Sequence, residues 1–402
     1  MSHLAGVEGV NELDDTDRPA SIRVVRVSVP VRRPHRSAHG TEDRRESILV
    51  RWRSADGADG WGECPALAGG GYVVETPDQA WSALTGRLLD GLRSHGHRAG
   101  MLTPVDPTVP AASAALADAA LDSRLRAEGI RLADHLARQT DALVRPAVAT
   151  TAVLADVGRD VEAVVDRAVV AIEAGASMVK VKIAPGHDIA VLTGVRDRVE
   201  RVPVAADANG SLVDDALLAA VDAVGLAYLE QPRPPGRSWN DLAADRGTLA
   251  TPIALDESLR SVLDVGRAVR AGALDVASVK PARLGGAVAA AHAARLCAGS
   301  GLDAFVGGMF ELGIGRATAS AVASLSYCSL PTDLGPSDRY FDIDVCEPIV
   351  ANGSGDLVVP DGPGCGRIPD EDVLARFALA DVELAVPGVS RTATKRRGGP
   401  RG

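Results

Sequence analysis

Five charged residues recur at nearly even spacing in the second half of the chain. They are Lys182, Asp207, Glu230, Asp256 and Lys280, each about 25 residues after the one before. Each ends a short apolar run: "MVKVKIA", "VPVAADANG", "LAYLEQP", "PIALDES" and "LDVASVKP". If these runs are strands of one parallel sheet, their carboxyl ends bring all five charges to the same edge.

Three of these residues are carboxylates on consecutive predicted strands. Asp207, Glu230 and Asp256 would repel one another unless a positive charge neutralised them, and ligands that are all oxygen favour a hard dication. A single Asp at a strand end is more often a helix N-cap or a loop residue. The regular spacing of all three between two lysines therefore predicts a Mg²⁺ site, with Mn²⁺ as a substitute.

Two lysines lie two residues apart in "MVKVK", so Lys180 and Lys182 share one face of the strand. Such a face is usually solvated, but in a barrel one strand face points inward, near the predicted metal. Burial, mutual repulsion and a dication would then lower the lysine pKa values towards those of a general base.

Lys182 and Lys280 fall on the second and sixth predicted strands, on opposite sides of an eight-stranded ring. A substrate carboxylate bound to the metal would lie between the two amines. The metal would stabilise the enediolate that forms when the proton alpha to that carboxylate is removed. The predicted reaction class is carbon-acid deprotonation.

Eight apolar runs alternate with Ala- and Val-rich helices after Arg145, ending with "LDAFVGGMF" and "CSLPTDLG". This rhythm predicts a parallel α/β sheet, either a barrel or an open doubly wound sheet. No GxGxxG or GxxxxGK[ST] motif follows an early strand, and charges at successive strand ends favour the barrel. Before Arg145, alternating β-branched strands and then helical sequence predict an α+β unit.

The composition of the chain indicates which classes of binding partner to expect. The net charge of −10 argues against nucleic acid and anionic membranes and favours a small molecule. The five cysteines are scattered without a CxxC pair, which suits a reducing cytoplasm. The first twenty residues carry no apolar h-region and no apolar run approaches the length needed to cross a bilayer, so we expect a soluble protein.

The motifs "KVK", "DANG", "LEQP", "LDES" and "VKPARLGG", in this order and spacing, resemble the enolase superfamily, specifically its muconate lactonizing enzyme subgroup. The resemblance covers roughly residues 21 to 385. It implies a (β/α)7β TIM-like barrel with an N-terminal α+β capping domain that the C-terminal segment completes. The predicted domains are a disordered tail (1–20), the cap (21–145), the barrel (146–346), the returning C-terminal segment (347–385) and a disordered basic tail (386–402).

Within the subgroup, "FVGGMFELGIGRATASAVASL" and "TDLGPSDRYFDIDV" resemble the o-succinylbenzoate synthase and N-acylamino acid racemase branch. Dipeptide epimerases carry an Asp-x-Asp motif near the eighth strand, where this chain has "DLGPSD". Mandelate racemase-like members need a His base from the seventh strand, and "LDAFVGGMF" has none.

The resemblance also implies residue roles. Asp207, Glu230 and Asp256 would bind the metal, Lys182 would remove the alpha proton, and Lys280 would stand on the opposite face. Lys180 would bind or polarise the substrate carboxylate. The residues expected to orient the ligands or shape the substrate pocket are Asn209, Glu257, Gly307, Gly308, Met309, Glu311 and Tyr72. Glu311 has an alternative role in a structural ion pair, and Tyr72 in packing the cap against the barrel. The stretch "WGECPALAGGGYVVET" resembles the family's mobile loop that closes over substrate, and in this chain that loop carries Gly69, Gly70 and Gly71.

The first functional hypothesis is an o-succinylbenzoate synthase-like lyase, which would dehydrate 2-succinyl-6-hydroxy-2,4-cyclohexadiene-1-carboxylate in menaquinone biosynthesis. The alternative is racemisation of N-acyl, especially N-succinyl, amino acids. A cycloisomerase remains open, and so does a catalytically silent scaffold, which would normally have lost one of the five charges. Family members are commonly homo-oligomers, so we expect one here.

Overall fold

The computed structural model describes residues 19–37, 40–68, 73–94, 106–155, 160–183 and 188–386. Most of both predicted tails, the glycines at 69–71 and Tyr72 lie outside these ranges. The cap begins with strands β1 (Pro19–Ser37), β2 (Gly40–Ser54) and β3 (Asp59–Cys64). Its helices are α1 (Pro77–Thr85), α2 (Arg87–Ser94), α3 (Pro110–Glu128) and α4 (Leu132–Thr140).

The second half of the chain alternates strands and helices as predicted. In chain order they are β4 (Ala147–Val148), β5 (Thr151–Leu154), α5 (Val161–Glu173), β6 (Met178–Lys182), α6 (Asp188–Arg198), β7 (Val204–Asp207), α7 (Asp215–Asp222), β8 (Leu229–Glu230), α8 (Trp239–Thr248), β9 (Ile253–Leu255), α9 (Val262–Ala271), β10 (Val276–Val279), α10 (Pro281–Leu284), α11 (Ala287–Gly299), β11 (Asp303–Val306) and α12 (Gly313–Ala323). Strands β5 to β11 form one curled sheet in sequential order, and their pairings are parallel.

The eighth predicted strand, "CSLPTDLG", closes the ring without becoming a regular strand. The Leu330 amide donates to Ala304 O at 3.2 Å on one side, and the Thr151 amide donates to Thr332 O at 2.7 Å on the other. Between them stands Pro331, which has no N–H to donate to a sheet ladder. The segment therefore pairs through an isolated parallel bridge, Thr150 with Thr332.

The C-terminal segment returns to the cap, which confirms the predicted architecture. After a short 3-10 helix (Ser337–Arg339) come β12 (Leu357–Val358), which pairs with β4, then α13 (Glu371–Phe377) and β13 (Ala378–Ala385). Strand β13 runs antiparallel to β1, so the cap sheet has the order β13-β1-β2-β3.

Both faces of the cap sheet are buried. One face carries Ile22, Val24, Ile48 and Val50 into a cluster with residues of α1, α2 and α3. Alternate residues such as Val25 face a second cluster that includes Leu312, Ile314 and Phe341 of the barrel side. Because side chains of a strand alternate between faces, one face of this sheet packs against the helices of the cap and the other packs against the barrel.

Among the described residues, no helix has both the length and the apolar character needed to cross a membrane. All five cysteines are buried thiols without a disulfide.

Candidate active site

The barrel interior is layered, and β6 to β11 with the residues that adjoin them each contribute one residue to a layer. The lower layer is an apolar cluster formed by Met178, Ala205, Tyr228, Ala254, Val276 and Phe305. Two residues further along each strand, on the same face, stand Lys180, Asp207, Glu230, Asp256, Ser278 and Gly307. The layer above the apolar floor is thus almost entirely polar and mostly charged.

The lysine spacing in β6 follows from this layering. Val179, Val181 and Ile183 pack outward into the main core cluster, whereas Lys180 and Lys182 face the interior. Lys180 is only 2% exposed, and the Lys182 side chain, one layer higher, is 16% exposed. Lys182 is therefore the lysine of this pair nearer to the open end.

Lys180 is held by two carboxylates and an aromatic ring. Its Nζ lies 2.6 Å from Glu230 Oε2 and 2.6 Å from Asp333 Oδ2, and 5.0 Å from the centroid of the Phe305 ring. Burial opposes the charged form, but Asp333 and Glu230 outweigh it and hold the pKa of Lys180 well above its usual value. The prediction of a lowered pKa is wrong for Lys180, because these carboxylates stabilise the ammonium.

Lys182 begins a polar chain along the mouth. Its Nζ donates to Asp207 Oδ2 at 2.8 Å and to Asn209 Oδ1 at 2.9 Å. Asn209 Nδ2 in turn donates to Glu257 Oε1 at 2.9 Å. The two residues predicted to orient the ligands, Asn209 and Glu257, therefore contact each other, and Asn209 also contacts the predicted base.

Lys280 stands at the other end of the carboxylate row, where its Nζ donates to Asp256 Oδ2 at 2.7 Å. Asp256 also accepts a hydrogen bond from the buried Arg283 guanidinium. Burial alone would raise the pKa of Asp256, but Arg283 and Lys280 hold it below its usual range. The row Asp207, Glu230, Asp256 thus lies between Lys182 and Lys280.

The backbone around the row departs from ordinary strand geometry. Asn209 and Gln231 have backbone φ values of +42° and +37°, and residues other than glycine rarely adopt a positive φ. The Gln231 side chain compensates locally, since its Oε1 accepts hydrogen bonds from the amides of Asp256 and Ser258. Backbone strain of this kind is concentrated at functional sites.

The donor set suits a hard dication. Burial, together with the charges of Asp207 and Asp256, raises the pKa of Glu230 to about 8 against the lowering effect of Lys180. Burial likewise raises the pKa of Glu257 to about 7, and its buried Oε2 has no hydrogen-bond partner. As they stand, no three His, Cys, Asp or Glu side chains in the described parts of the chain converge into a ready metal cage. The row nevertheless places three buried carboxylates on neighbouring strands, and their oxygens are of the type that a hard dication prefers.

The predicted pocket residues after β11 lie beside these charges. A Cβ on Gly307 would come within 2.7 Å of Lys280 Cε and of Ser278 Oγ, so a larger residue there would have to displace these two side chains. The Gly308 amide donates to Asp333 Oδ1 at 2.6 Å, and the Met309 amide to Glu311 Oε1 at 2.9 Å. Glu311 thus contacts the backbone of its own segment.

Sequence reasoning missed Asp333 and Arg283. Asp333 ends the eighth apolar run, "CSLPTDLG", so the strand-end rule that identified the other charges applies to it as well. Arg283 lies in the quoted motif "VKPARLGG", three residues after Lys280. Its position in the first turn after the strand is the signal that it could reach the site.

Comparisons with known proteins agree with this geometry. Residues 163–373 match the family model described as "Enolase C-terminal domain-like". The chain is 33% identical over 370 residues to an N-succinylamino acid racemase from an Amycolatopsis species, an alignment that covers 90% of this chain and 98% of the relative. It is also 33% identical over 358 residues to the o-succinylbenzoate synthase of Geobacillus stearothermophilus, covering 87% of this chain and 93% of the relative.

Solved structures show that the fold of this chain is similar to that of enolase superfamily members. An enolase superfamily member from Listeria innocua superposes with a TM-score of 0.82 at 27% identity, covering 92% of this chain and 99% of that one. A structure described as a probable mandelate racemase from Alicyclobacillus acidocaldarius has a TM-score of 0.79 at 36% identity, covering 91% and 99%. The fold and the comparisons define a capped-barrel enzyme. The chain belongs to the enolase superfamily, in the muconate lactonizing enzyme subgroup.

Proposed function

We propose that this enzyme removes the proton alpha to a substrate carboxylate and that its reaction is o-succinylbenzoate synthase-like dehydration. The observation that carries the proposal is the row Asp207, Glu230, Asp256 with Lys182 and Lys280 at its two ends. This arrangement offers an amine on each side of a substrate placed over the carboxylates. The similarity to o-succinylbenzoate synthases supports this choice of reaction.

Asp207, Glu230 and Asp256 would hold Mg²⁺, or Mn²⁺ in its place. When bound, the cation supplies positive charge that stabilises the substrate carboxylate as negative charge develops on it. Asn209 and Glu257 would fix the orientation of Lys182 and Asp207, since the Asn209 side chain contacts Lys182 and Glu257 and its amide donates to Asp207 Oδ1 at 3.0 Å.

In the dehydration, Lys182 takes the alpha proton and then gives it to the departing hydroxyl group, which leaves as water. Lys280 stays protonated, and its charge stabilises the intermediate from the opposite face. Lys180 is more deeply buried and is held as an ammonium ion by Glu230 and Asp333. It would contribute fixed positive charge to the binding of the carboxylate rather than take a proton.

The second candidate is racemisation of N-succinylamino acids. The 33% identity to an N-succinylamino acid racemase favours it as strongly as the synthase relatives favour dehydration. Lys182 and Lys280 would then exchange protons with the two faces of one alpha carbon. A cycloisomerase would use the same groups, but we find no observation that favours it.

The two reactions are separable by direct assay. The first assay gives kcat/KM for loss of 2-succinyl-6-hydroxy-2,4-cyclohexadiene-1-carboxylate, measured by ultraviolet absorbance. The second gives kcat/KM for racemisation of N-succinylamino acids, measured by optical rotation. The two values are then compared. The proposal expects the larger value for the first substrate. A larger value for the second would replace dehydration with racemisation as the main activity.

Two further parts of the proposal concern the protein's setting. We expect a homo-oligomer that works in the cytoplasm. The five buried thiols support a reducing compartment.

A further inference from the structure

The segment 307–315 runs from the end of β11 into the first turn of α12 and lies beside Lys280. Gly307 is packed so closely against the Lys280 side chain that a Cβ would lie 2.7 Å from Lys280 Cε. The next amide, that of Gly308, is bound by Asp333, which also binds Lys180. A displacement of this segment would therefore move the surroundings of both Lys280 and Lys180.

A buried arginine of the cap reaches this segment from a distant part of the chain. Arg45, on β2, is 1% exposed. Its Nε donates to Phe310 O at 2.8 Å, and its Nη2 lies 3.5 Å from Met309 O and 2.5 Å from Pro65 O. The same guanidinium thus joins the barrel segment to the residues that follow β3.

Phe310 is the residue of the segment that most needs support. Its φ of +59° is in the left-handed region, which costs free energy for a side chain of this size. The Arg45 guanidinium lies 5.7 Å from the centroid of its ring as well as binding its carbonyl oxygen. The strained residue is therefore held at both its backbone and its side chain by Arg45.

A second cap residue holds the other half of the segment. Glu63, at the end of β3, accepts the Leu312 amide at 2.8 Å with Oε1 and the Gly315 amide at 2.7 Å with Oε2. Ser47, two residues from Arg45 on the same face of β2, donates to Glu63 Oε1 at 2.9 Å. We call Arg45, Ser47 and Glu63 together the cap clamp.

We infer that the cap clamp positions the active site: Arg45 and Glu63 fix the conformation of segment 307–315, and so the placement of Lys280, from the cap domain. Cap and barrel are thereby coupled through a few buried polar contacts as well as through apolar packing. The inference rests on the proposed function only for the role of Lys280 in the reaction. The structural coupling can be tested without any assay of activity.

The test is hydrogen–deuterium exchange of the full-length protein, read on the peptide that contains residues 307–315. Arg45→Met removes the donors to Phe310 and Met309. We expect exchange of that peptide to speed up about tenfold or more, with peptides of β6 to β9 unchanged. Arg44→Met is the matched control, because Arg44 is the exposed neighbour and donates to Ser28 on the other face of the strand.

A second variant guards against failure of the first to fold. Glu63→Gln is nearly isosteric but has one acceptor oxygen instead of two, so it cannot accept the Leu312 and Gly315 amides on separate oxygens. It should also speed up exchange of the 307–315 peptide selectively. If both variants left this peptide protected, or loosened the barrel strands to the same extent, the cap clamp would have no positioning role and the inference would be overturned.

Kinetics test whether the cap clamp acts on the reaction, through comparison of Arg45→Met with the conservative Arg45→Lys and with the control Arg44→Met. On whichever substrate the wild-type enzyme turns over, Arg45→Met should lower kcat/KM by about 10- to 100-fold, and Arg45→Lys should recover only part of the loss. Arg44→Met should keep wild-type values. A wild-type protein inactive on both substrates would refute the proposed function, and hydrogen exchange would still decide the inference about the cap clamp.

Discussion

At the scale of single residues, the site is a set of buried charges that neutralise one another in pairs. Lys182 pairs with Asp207, Lys180 with Glu230 and Lys280 with Asp256. Asp333 and Arg283 add one further charge of each sign. Because buried charges are costly unless paired, removal of one member should affect its partner more than the loss of a single contact would suggest.

Asp333→Asn tests this interdependence. It removes one of the two carboxylates on Lys180 but leaves an amide oxygen to accept the Gly308 amide. We expect the free energy of unfolding to fall by about 2 kcal/mol, because a charged hydrogen bond to a buried ammonium is lost. Denaturant unfolding measures it, with the exposed Asp338→Asn as control. Equal stabilities of the two variants would contradict the account.

At the scale of elements, a helix terminus joins the barrel to the cap, and a close contact between a strand and a helix lies within the cap itself. Glu63 accepts hydrogen bonds from the amides of Leu312 and Gly315 at the start of α12. A residue of the capping domain therefore binds the N-terminus of a barrel helix. Two glycines of β3 lie against the backbone of α3. Both contacts can be tested separately from the chemistry.

The buried carboxyl group of Glu63 should make the stability of the protein depend on pH. Burial raises the pKa of Glu63 to about 7, above the ordinary value of 4.5, so the folded state binds the proton more tightly than the unfolded state. The stabilisation from Glu63 is therefore complete below pH 4.5 and is lost as the pH rises to 7, by about 3 kcal/mol. Urea unfolding at pH 5 and pH 7.5 should show a smaller fall for Glu63→Gln than for wild type. The same fall in both would show that Glu63 does not titrate in this way.

Close packing of β3 against α3 gives a second prediction at the scale of elements. A Cβ on Gly62 would lie 2.0 Å from Ala115 O, a backbone atom of α3 that cannot turn aside. Gly62→Ala should therefore cost about 3 kcal/mol or more of unfolding free energy. Gly247→Ala in α8 is the matched control, because a Cβ there meets nothing within 4 Å. Thermal unfolding of the two variants compares them, and a wild-type Tm for Gly62→Ala would refute the packing argument.

The sequence was most informative where position along a strand decides the outcome. The layered interior places Lys182, Asp207, Glu230 and Asp256 through strand periodicity alone, so these positions could be predicted. Arg45 and Glu63 could not, because their partners in segment 307–315 are about 250 residues away in the chain. The direction of the Lys180 pKa also depended on contacts with Glu230 and Asp333 that no local pattern reveals.

At the scale of the whole molecule, metal binding should be coupled to folding. The carboxylate row is fully assembled only in the folded barrel, so a cation that binds there stabilises the native state, by about 2.7 kcal/mol at a hundredfold excess over Kd. Protein freed of metal with EDTA should show a higher Tm when Mg²⁺ is added. Asp207→Asn should lose most of this increase, whereas the exposed Asp361→Asn should keep it. An increase unchanged in Asp207→Asn would remove Asp207 from the ligand set.

The most direct test of the central claim is the turnover of 2-succinyl-6-hydroxy-2,4-cyclohexadiene-1-carboxylate and of N-succinylamino acids by wild-type enzyme and Lys182→Ala, each with Mg²⁺ and then with EDTA. We expect saturable turnover of at least one substrate by the wild-type enzyme, and we expect EDTA to abolish it. Lys182→Ala should lower it by about a thousandfold while circular dichroism shows an intact fold. Full activity in Lys182→Ala, or turnover that EDTA leaves unchanged, would contradict it.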